Sequence, residues 1–164
     1  MEKRNIAIHY FVFRSIDELA DADRSLLEKA EEASRNAYTP YSGFSVGAAV
    51  LLDNEEIITA NNQENASYPQ GLCAERTALF YAMAQHPNRK VKAIAVYGYH
   101  RKHKLKGCVS PCGGCRQVML ECEQRGKEKM RILLSGYSGE ITVIEGVEQL
   151  LPLQFSGDFL CDIQ

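Results

Sequence analysis

Apolar and polar positions repeat with two different periods along the chain, and these periods predict its secondary structure. Residues 5–13 alternate loosely, which predicts a strand with apolar groups on both faces. A helix is predicted from about residue 24 to 37 and capped by Asp23, because its apolar residues form one stripe. The other predicted elements are strands at 44–52 and 57–59, a helix at 74–85, a strand at 91–97, a helix at 112–123, strands at 130–134 and 141–144, and a short helix at 145–151.

The order of these elements predicts the fold class. Strands and helices alternate through the middle of the chain, and two strands follow closely near its end. This order favours a single α/β domain over residues 1–164, with a mixed sheet and helices on both of its faces.

Composition excludes several classes of function. The 164 residues are 45% hydrophobic and 24% charged, with a net charge of −2, so no bulk positive field is available to hold a nucleic acid. The longest apolar run, Phe44 to Leu52, is far shorter than the roughly 18 residues that a membrane-spanning helix needs. We therefore expect neither a nucleic acid nor a membrane as the partner.

The cysteine content indicates the cellular compartment. Six cysteines are too few for a disulfide scaffold in a chain of this length. The first residues resemble a signal peptide only faintly, because His9 interrupts the apolar run and Asp17 follows where a cleavage site belongs. We expect a reduced, cytoplasmic protein, in which clustered cysteines more often bind metal or do chemistry.

Two short motifs concentrate chemically active residues at predicted helix starts: Cys-Ala-Glu-Arg at 73–76 and Pro-Cys-Gly-Gly-Cys at 111–115. Unpaired backbone N–H groups and the helix dipole favour the thiolate form there, which is the form that binds metal. Cys112 and Cys115 share one helix face and can hold a single ion, and Cys73 can supply a third sulfur if the helix starts converge.

Three protein ligands leave the fourth tetrahedral position of zinc open for water, whose pKa bound zinc lowers toward ~7. Glu75 lies two residues from a ligand, close enough to exchange protons with that water without binding the metal. Arg76 can offset the negative charge of three thiolates beside the ion.

Other sites share part of this pattern. Pro-Cys-x-x-Cys alone is also typical of a structural zinc site or a thiol redox pair. With Cys108, the spacing to Cys112 and Cys115 matches radical-SAM iron–sulfur ligands, although that family normally needs a longer chain and Cys73 would then have no role. A closed structural site would use Cys108 as its fourth ligand.

Four ordered stretches carry a family resemblance: residues 41–49 (YSGFSVGAA), 62–69 (NQENASYP), 73–78 (CAERTA) and 110–118 (SPCGGCRQV). Together they closely resemble the small, homotetrameric cytidine deaminases of pyrimidine salvage, in the same order over about residues 24–160. The resemblance implies a three-layer α/β/α sandwich around a mixed five-stranded sheet. Residues 1–22 would be an N-terminal extension able to add an edge strand.

The resemblance also implies the reaction, which is zinc-dependent hydrolysis of cytidine and deoxycytidine to uridine and deoxyuridine with release of ammonia. One Zn²⁺ per subunit would be held by Cys73, Cys112 and Cys115. Glu75 would carry protons from water to the ring and to the leaving amine, and Arg76 would lie beside the ligands.

Substrate contacts are implied in the same way. Phe44 would pack against the pyrimidine, and Asn62 and Glu64 would hydrogen-bond the ribose 3′-hydroxyl. These roles suit the residue types, since an aromatic face fits a flat base and polar groups fit a diol. The structural alternatives are a core position for Phe44 and turn positions for Asn62 and Glu64.

Three more residues complete the implied site. Backbone groups near Ala74 and Ser110 would read the base, and Phe155 would reach the site of a neighbouring subunit in a homotetramer with shared active sites. As an alternative, Phe155 anchors the end of its own chain. The basic loop at 98–107 and the N-terminal extension have no predicted role, because a charge run is usually a solvated face.

Three rival functions share some of these features. A blasticidin-S-type deaminase has the same metal motifs, but the Asn62-x-Glu64 stretch favours a nucleoside. A non-catalytic zinc-binding module would have Cys108 at the metal. A polynucleotide deaminase is disfavoured by the near-zero net charge.

Overall fold

In the computed structural model, residues 1–160 are described, and they form one six-stranded sheet with three α-helices. The last four residues of the predicted domain lie outside the described residues. The elements are β1 (Phe11–Phe13), α1 (Asp21–Ser34), β2 (Phe44–Leu52), β3 (Ile57–Asn61), α2 (Ala74–Gln85), β4 (Val91–His100), α3 (Gly113–Gly126), β5 (Arg131–Gly136) and β6 (Ile141–Glu145).

The sheet is mixed, with the strand order β1-β6-β5-β4-β2-β3. β4 and β5 are parallel, and the other neighbouring pairs are antiparallel. The predicted α/β fold with a mixed sheet is therefore confirmed, and the sixth strand is the expected addition at the N-terminus.

The two faces of the sheet carry separate hydrophobic cores. Successive strand side chains point to opposite faces, so Ala48 and Val50 of β2 lie in the core under α2 and α3, whereas Ala49 lies in the core under α1. α1 contributes Leu26 and Leu27, both almost completely buried. Burying each such side chain stabilises the fold by roughly 1.5–3 kcal/mol.

The start of α1 differs from the prediction. The helix begins at Asp21 with Ala20 as its N-cap residue, so the predicted cap at Asp23 is wrong. Asp23 lies in the first turn, where its charge favours the helix dipole, and it forms an ion pair with Arg131 at 2.7 Å. That contact spans 108 residues of sequence and is outside the reach of a local pattern.

The two ends of the chain are less regular than the sequence predicts. Only Phe11–Phe13 of the predicted strand 5–13 pairs with β6, and the His9 amide donates instead to the side chain of Gln149 at 2.8 Å. The predicted helix at 145–151 is a single 3-10 turn, Val147–Gln149. Within residues 1–160, the helices are too short or too polar to cross a bilayer.

Candidate functional site

The two cysteine motifs lie at the starts of two helices that pack on the same face of the sheet. Cys73 is the N-cap residue of α2, and Cys112 is the N-cap residue of α3, both with extended backbone. α2 and α3 contact each other as well as the sheet. Each motif therefore presents its thiols beside the free N–H groups of a helix start.

Three sulfurs converge at this point. The Sγ atoms of Cys73 and Cys112 are 3.9 Å apart, those of Cys112 and Cys115 are 3.5 Å apart, and all three lie within 4.8 Å of one another. Zinc–sulfur bonds of about 2.3 Å at tetrahedral angles separate sulfurs by about 3.8 Å. The three thiols therefore fit a zinc ion in both number and spacing.

The electrostatics of the cluster favour a thiolate at Cys73. The neighbouring thiol of Cys115 lowers the pKa of Cys73 to about 5, against the opposing effect of burial, and Arg76 adds to the lowering. The Nη2 of Arg76 donates to the Cys73 sulfur at 3.5 Å. The contact with Cys73 and burial in turn raise the pKa of Cys115. Arg76 thus lies where it offsets the negative charge of the sulfurs.

Glu75 is a buried carboxyl next to this cluster, with 5% of its surface exposed. Burial raises the pKa of the Glu75 carboxyl, and the charge of Cys73 raises it further. A buried acid is normally paired or performs chemistry, because an isolated buried charge is costly. Its position on the first turn of α2 places it beside Cys73.

The other described cysteines lie apart from the cluster. Cys108 contacts Thr142, with its Sγ 3.2 Å from the hydroxyl oxygen. Cys122 is buried in α3, and this burial raises the pKa of its thiol to about 11. Within residues 1–160 the sulfur cluster has three members, so the geometry differs from that of a closed four-cysteine site.

A close approach between β4 and β5 positions the segment that leads to Cys112. Gly98 and Gly136 are register partners near the C-terminal ends of these strands, and Val109 packs over them. A Cβ at Gly98 would lie 2.7 Å from Val109, and one at Gly136 would lie 2.8 Å from the Gly98 carbonyl oxygen. The amide of Val109 also donates to Ser135, so the chain enters the second cysteine motif from a fixed point.

Arg116 was not singled out in the sequence, yet it anchors the start of α3. Its Nε donates to the carbonyl of Pro111 at 2.9 Å, and its Nη1 donates to the carbonyl of Leu150 at 2.7 Å. The arginine therefore ties the second cysteine motif to the C-terminal segment. Its place directly after Cys115 was the available signal.

The predicted sugar-binding residues lie in loops that hydrogen bonds hold together. The Oε2 of Glu64 accepts from the amides of Tyr41 and Ser42 at 2.9 and 3.2 Å. The side chain of Asn62 accepts from the Val46 amide and donates to the Phe44 carbonyl. Both predicted residues are thus part of the structure that joins the start of β2 to the loop after β3.

A cavity of about 390 Å³ opens beside these loops. Its lining residues are Tyr41, Ser42, Glu64, Asn65, Tyr68 and Gly71. The rings of Tyr41 and Tyr68 are 5.9 Å apart and form an aromatic wall. The cavity is large enough for part of a nucleoside-sized molecule, with Glu64 as its acidic group.

The remaining predicted contacts are placed as follows. Phe44 is half-buried and packs on the core under α2 and α3. Ala74 is buried as the first residue of α2, and Ser110 is exposed just before the second cysteine motif. Phe155 is 58% exposed and stacks on Phe159 with ring centres 5.7 Å apart. In this chain alone, Phe155 lies on the C-terminal segment beside α3, where Gln117 donates to its carbonyl.

Comparison with known proteins places these features in a family. The profile described as the cytidine and deoxycytidylate deaminase zinc-binding region matches residues 20–129. The chain is 43% identical to a cytidine deaminase of Halalkalibacterium halodurans, over 84% of this chain and 96% of that protein. It is 40% identical to a cytidine deaminase of Sporosarcina psychrophila, over 82% of this chain and 92% of that protein.

Solved structures show the same likeness. The crystal structure of a cytidine deaminase from Burkholderia pseudomallei matches with a TM-score of 0.70 and 41% identity. The match covers 80% of this chain and 97% of that one.

Proposed function

This chain belongs to the family that has the cytidine and deoxycytidylate deaminase zinc-binding region, and on that basis we infer that it deaminates cytidine hydrolytically. Water replaces the 4-amino group, so cytidine becomes uridine and one ammonia is released. Deoxycytidine is the second expected substrate. The observation that carries the proposal is the convergence of three thiols from two helix starts beside the buried Glu75.

Cys73, Cys112 and Cys115 would hold the zinc ion, and their spacing supports this assignment. When bound, zinc acts as a Lewis acid that makes water acidic enough to be a nucleophile at neutral pH. Arg76 would keep the cysteines charged, since its Nη2 already donates to Cys73. The two helix starts favour the thiolates in the same direction.

Glu75 would move the protons of the reaction. Its carboxylate would take a proton from water and deliver it to N3 of the pyrimidine. A second transfer would bring a proton to the departing amine, which leaves as ammonia. Burial of Glu75 excludes competing water from these transfers.

The sugar would bind at the loops around the cavity. Glu64 already accepts from two amides, yet a carboxylate has about four lone-pair sites and can also accept from the ribose 3′-hydroxyl. Asn62 would contact the same hydroxyl, and Phe44 would support the base. Backbone groups of Ala74, inside the first cysteine motif, and of Ser110, just before the second, would hydrogen-bond the pyrimidine edge.

We also propose a homotetramer in which Phe155 enters a neighbouring site. The described chain exposes several aromatic residues on α2 and the C-terminal segment, including Phe80, Tyr81, Phe155 and Phe159. Aromatic residues are enriched at protein–protein interfaces. A cytoplasmic location fits the same picture, because the five described cysteines are free thiols and three of them must stay reduced to bind metal.

An ammonia-release assay on a small panel tests the function. The panel contains cytidine, deoxycytidine, adenosine and blasticidin S, each with and without a zinc chelator. We expect ammonia from the two cytosine nucleosides, and loss of that activity on prolonged chelation with recovery on added zinc. Turnover of blasticidin S without turnover of cytidine, or turnover that survives complete zinc removal, would contradict the proposal.

A further inference from the structure

We propose that His100 positions the turn at residues 41–43, and through it the Glu64 carboxylate, for binding the sugar of a nucleoside. His100 is the last residue of β4 and opens the basic loop. The proposal rests on the function inferred above, because it assigns the turn to the substrate site. His100 is a positioning residue that acts through Ser42.

The hydrogen bonds of the ring fix its tautomer. The Nδ1 of His100 accepts from the backbone amides of Lys102 and His103, at 3.0 and 3.1 Å. A nitrogen that accepts two N–H groups carries no proton, so the proton of the neutral ring lies on Nε2. Nε2 is 3.0 Å from the carbonyl oxygen of Ser42 and therefore donates to it.

Ser42 is consequently held from two sides. Its amide donates to the Glu64 carboxylate at 3.2 Å, and its carbonyl accepts from His100 at 3.0 Å. The Tyr41 amide donates to the same Glu64 oxygen at 2.9 Å. The turn therefore connects the imidazole directly to the acid that faces the cavity.

The sheet brings these groups together. His100 is the register partner of Phe44 where β2 begins and β4 ends, and the amide of Arg101 donates to the Gly43 carbonyl at 3.0 Å. Gly43 has a φ of +67°, and a Cβ there would lie 3.7 Å from two atoms of the imidazole. The ring thus packs directly against a backbone conformation that favours glycine.

Losing the Nε2 donor should weaken substrate binding more than chemistry. The turn is exposed and would gain mobility without the bond, so Glu64 would spend less time in the orientation that accepts the sugar hydroxyl. One hydrogen bond of this kind corresponds to a change of about three- to tenfold in binding. The sulfur cluster is formed by other elements and should be unaffected.

Three substitutions separate the two ends of the ring. His100→Asn keeps an acceptor near the Nδ1 position and removes the donor to Ser42, His100→Gln places an amide donor near the Nε2 position, and His100→Ala removes both. His103→Ala is the matched control, because it removes a ring whose centre lies 4.5 Å from that of His100 and keeps the hydrogen bond from the residue 103 amide to Nδ1.

Steady-state kinetics give the first readout. We expect His100→Asn and His100→Ala to raise KM for cytidine about three- to tenfold with kcat within about twofold, and His100→Gln and His103→Ala to stay near the parent value. For 3′-deoxycytidine, which lacks the hydroxyl, the same variants should match the parent protein. An unchanged KM in His100→Asn, or an equal loss on both nucleosides, would overturn the proposal.

Hydrogen exchange gives a second readout that does not need turnover. The amides of Tyr41 and Ser42 should exchange faster in His100→Asn and His100→Ala, and at the parent rate in His100→Gln and His103→Ala. If the parent protein fails to deaminate cytidine, the proposed function fails, and exchange alone then decides the role of His100. Unchanged exchange in His100→Ala would reject the positioning of the turn.

Discussion

The cysteine centre and the proposed sugar-binding loops (residues 41–43 and 62–65) use the backbone in opposite ways. At the cysteine centre, side chains project from the starts of two helices, and the thiols of Cys73 and Cys112 approach to 3.9 Å. On the sugar side, backbone amides hold the functional side chain, since Tyr41 and Ser42 both donate to Glu64. The cysteine centre therefore brings reactive side chains together, whereas the loops hold a hydrogen-bond acceptor in a fixed position.

This difference has an energetic consequence. A cysteine removed from the centre takes away a proposed zinc ligand, and within residues 1–160 the cluster holds no fourth sulfur to replace it. A side chain removed from the sugar side leaves exposed amides that water can satisfy, so the fold is little affected. We expect changes at the centre to abolish turnover and changes at the loops to alter substrate affinity.

The largest expected effect is the loss of zinc and of activity when Cys115 is replaced. Cys122, which is buried in the same helix, provides the comparison. Cys115→Ala should lower zinc from one ion per chain to near zero and reduce kcat/KM by at least about a thousandfold, because the Lewis acid is lost. Cys73→Ala should do the same. Metal analysis and the ammonia assay measure both quantities.

Cys122→Ala is the matched control for that prediction. Cys122 is also buried in α3, and burial raises the pKa of its thiol to about 11, so it stays protonated and uncommitted at neutral pH. The variant should keep its zinc and most of its activity. Full zinc content in Cys115→Ala would mean that the three sulfurs are not the ligand set.

Glu75→Gln should separate the two functions of the cysteine centre, which are metal binding and proton transfer. The amide has the shape of the carboxyl but cannot carry a proton, so kcat should fall by about 10²–10⁴. Zinc content should remain at one ion per chain. Normal turnover in this variant would remove Glu75 from the reaction.

On the sugar side, Glu64→Ala should raise KM for cytidine about tenfold with a smaller change in kcat. Although burial opposes it, hydrogen bonds from Ser42 and Tyr41 lower the pKa of the Glu64 carboxyl. The lowered pKa keeps the Glu64 carboxyl ionised at pH values where an ordinary glutamate is already protonated, so this contribution to KM should be lost only at more acidic pH. If kcat fell as far in Glu64→Ala as in Glu75→Gln, the loops would affect the chemical step as well as substrate affinity, which would contradict the comparison.

Phe155→Ala should give the smallest effect, a rise in KM of about two- to threefold, and only if subunits share their sites. Leu153→Ala is the control, because Leu153 is 93% exposed on the same segment. Sizing chromatography at the assay concentration shows the assembly. An active monomer would contradict the shared site.

The sequence predicted the elements that carry a continuous pattern of their own. β2 and α2 have the predicted bounds, because each presents an unbroken strand or helix pattern between clear stops. The start of α1 was misplaced because Asp23 pairs with Arg131, which only the folded sheet brings near. Local signals identify an element well and its tertiary partners poorly.

The same limit applies within the candidate site. The sulfur cluster could be predicted because each of its two motifs lies within five consecutive residues. The contact between His100 and Ser42 spans 58 residues and depends on the register of β2 against β4. The residues around His100 in the sequence do not indicate such a role, so the sequence predicts only a solvent-exposed basic loop.

The close contact between Gly98 and Gly136 makes the position of Cys112 independent of the length of the loop that precedes it. Since Val109 is seated over both strands, residues 103–107 can lengthen or shorten while Cys112 keeps its place. Insertions and deletions accumulated during divergence should therefore gather in that loop. An alanine at Gly98 would instead clash with Val109, and one at Gly136 would clash with the Gly98 carbonyl oxygen. This narrow contact is therefore a greater constraint on sequence drift than the longer loop before it.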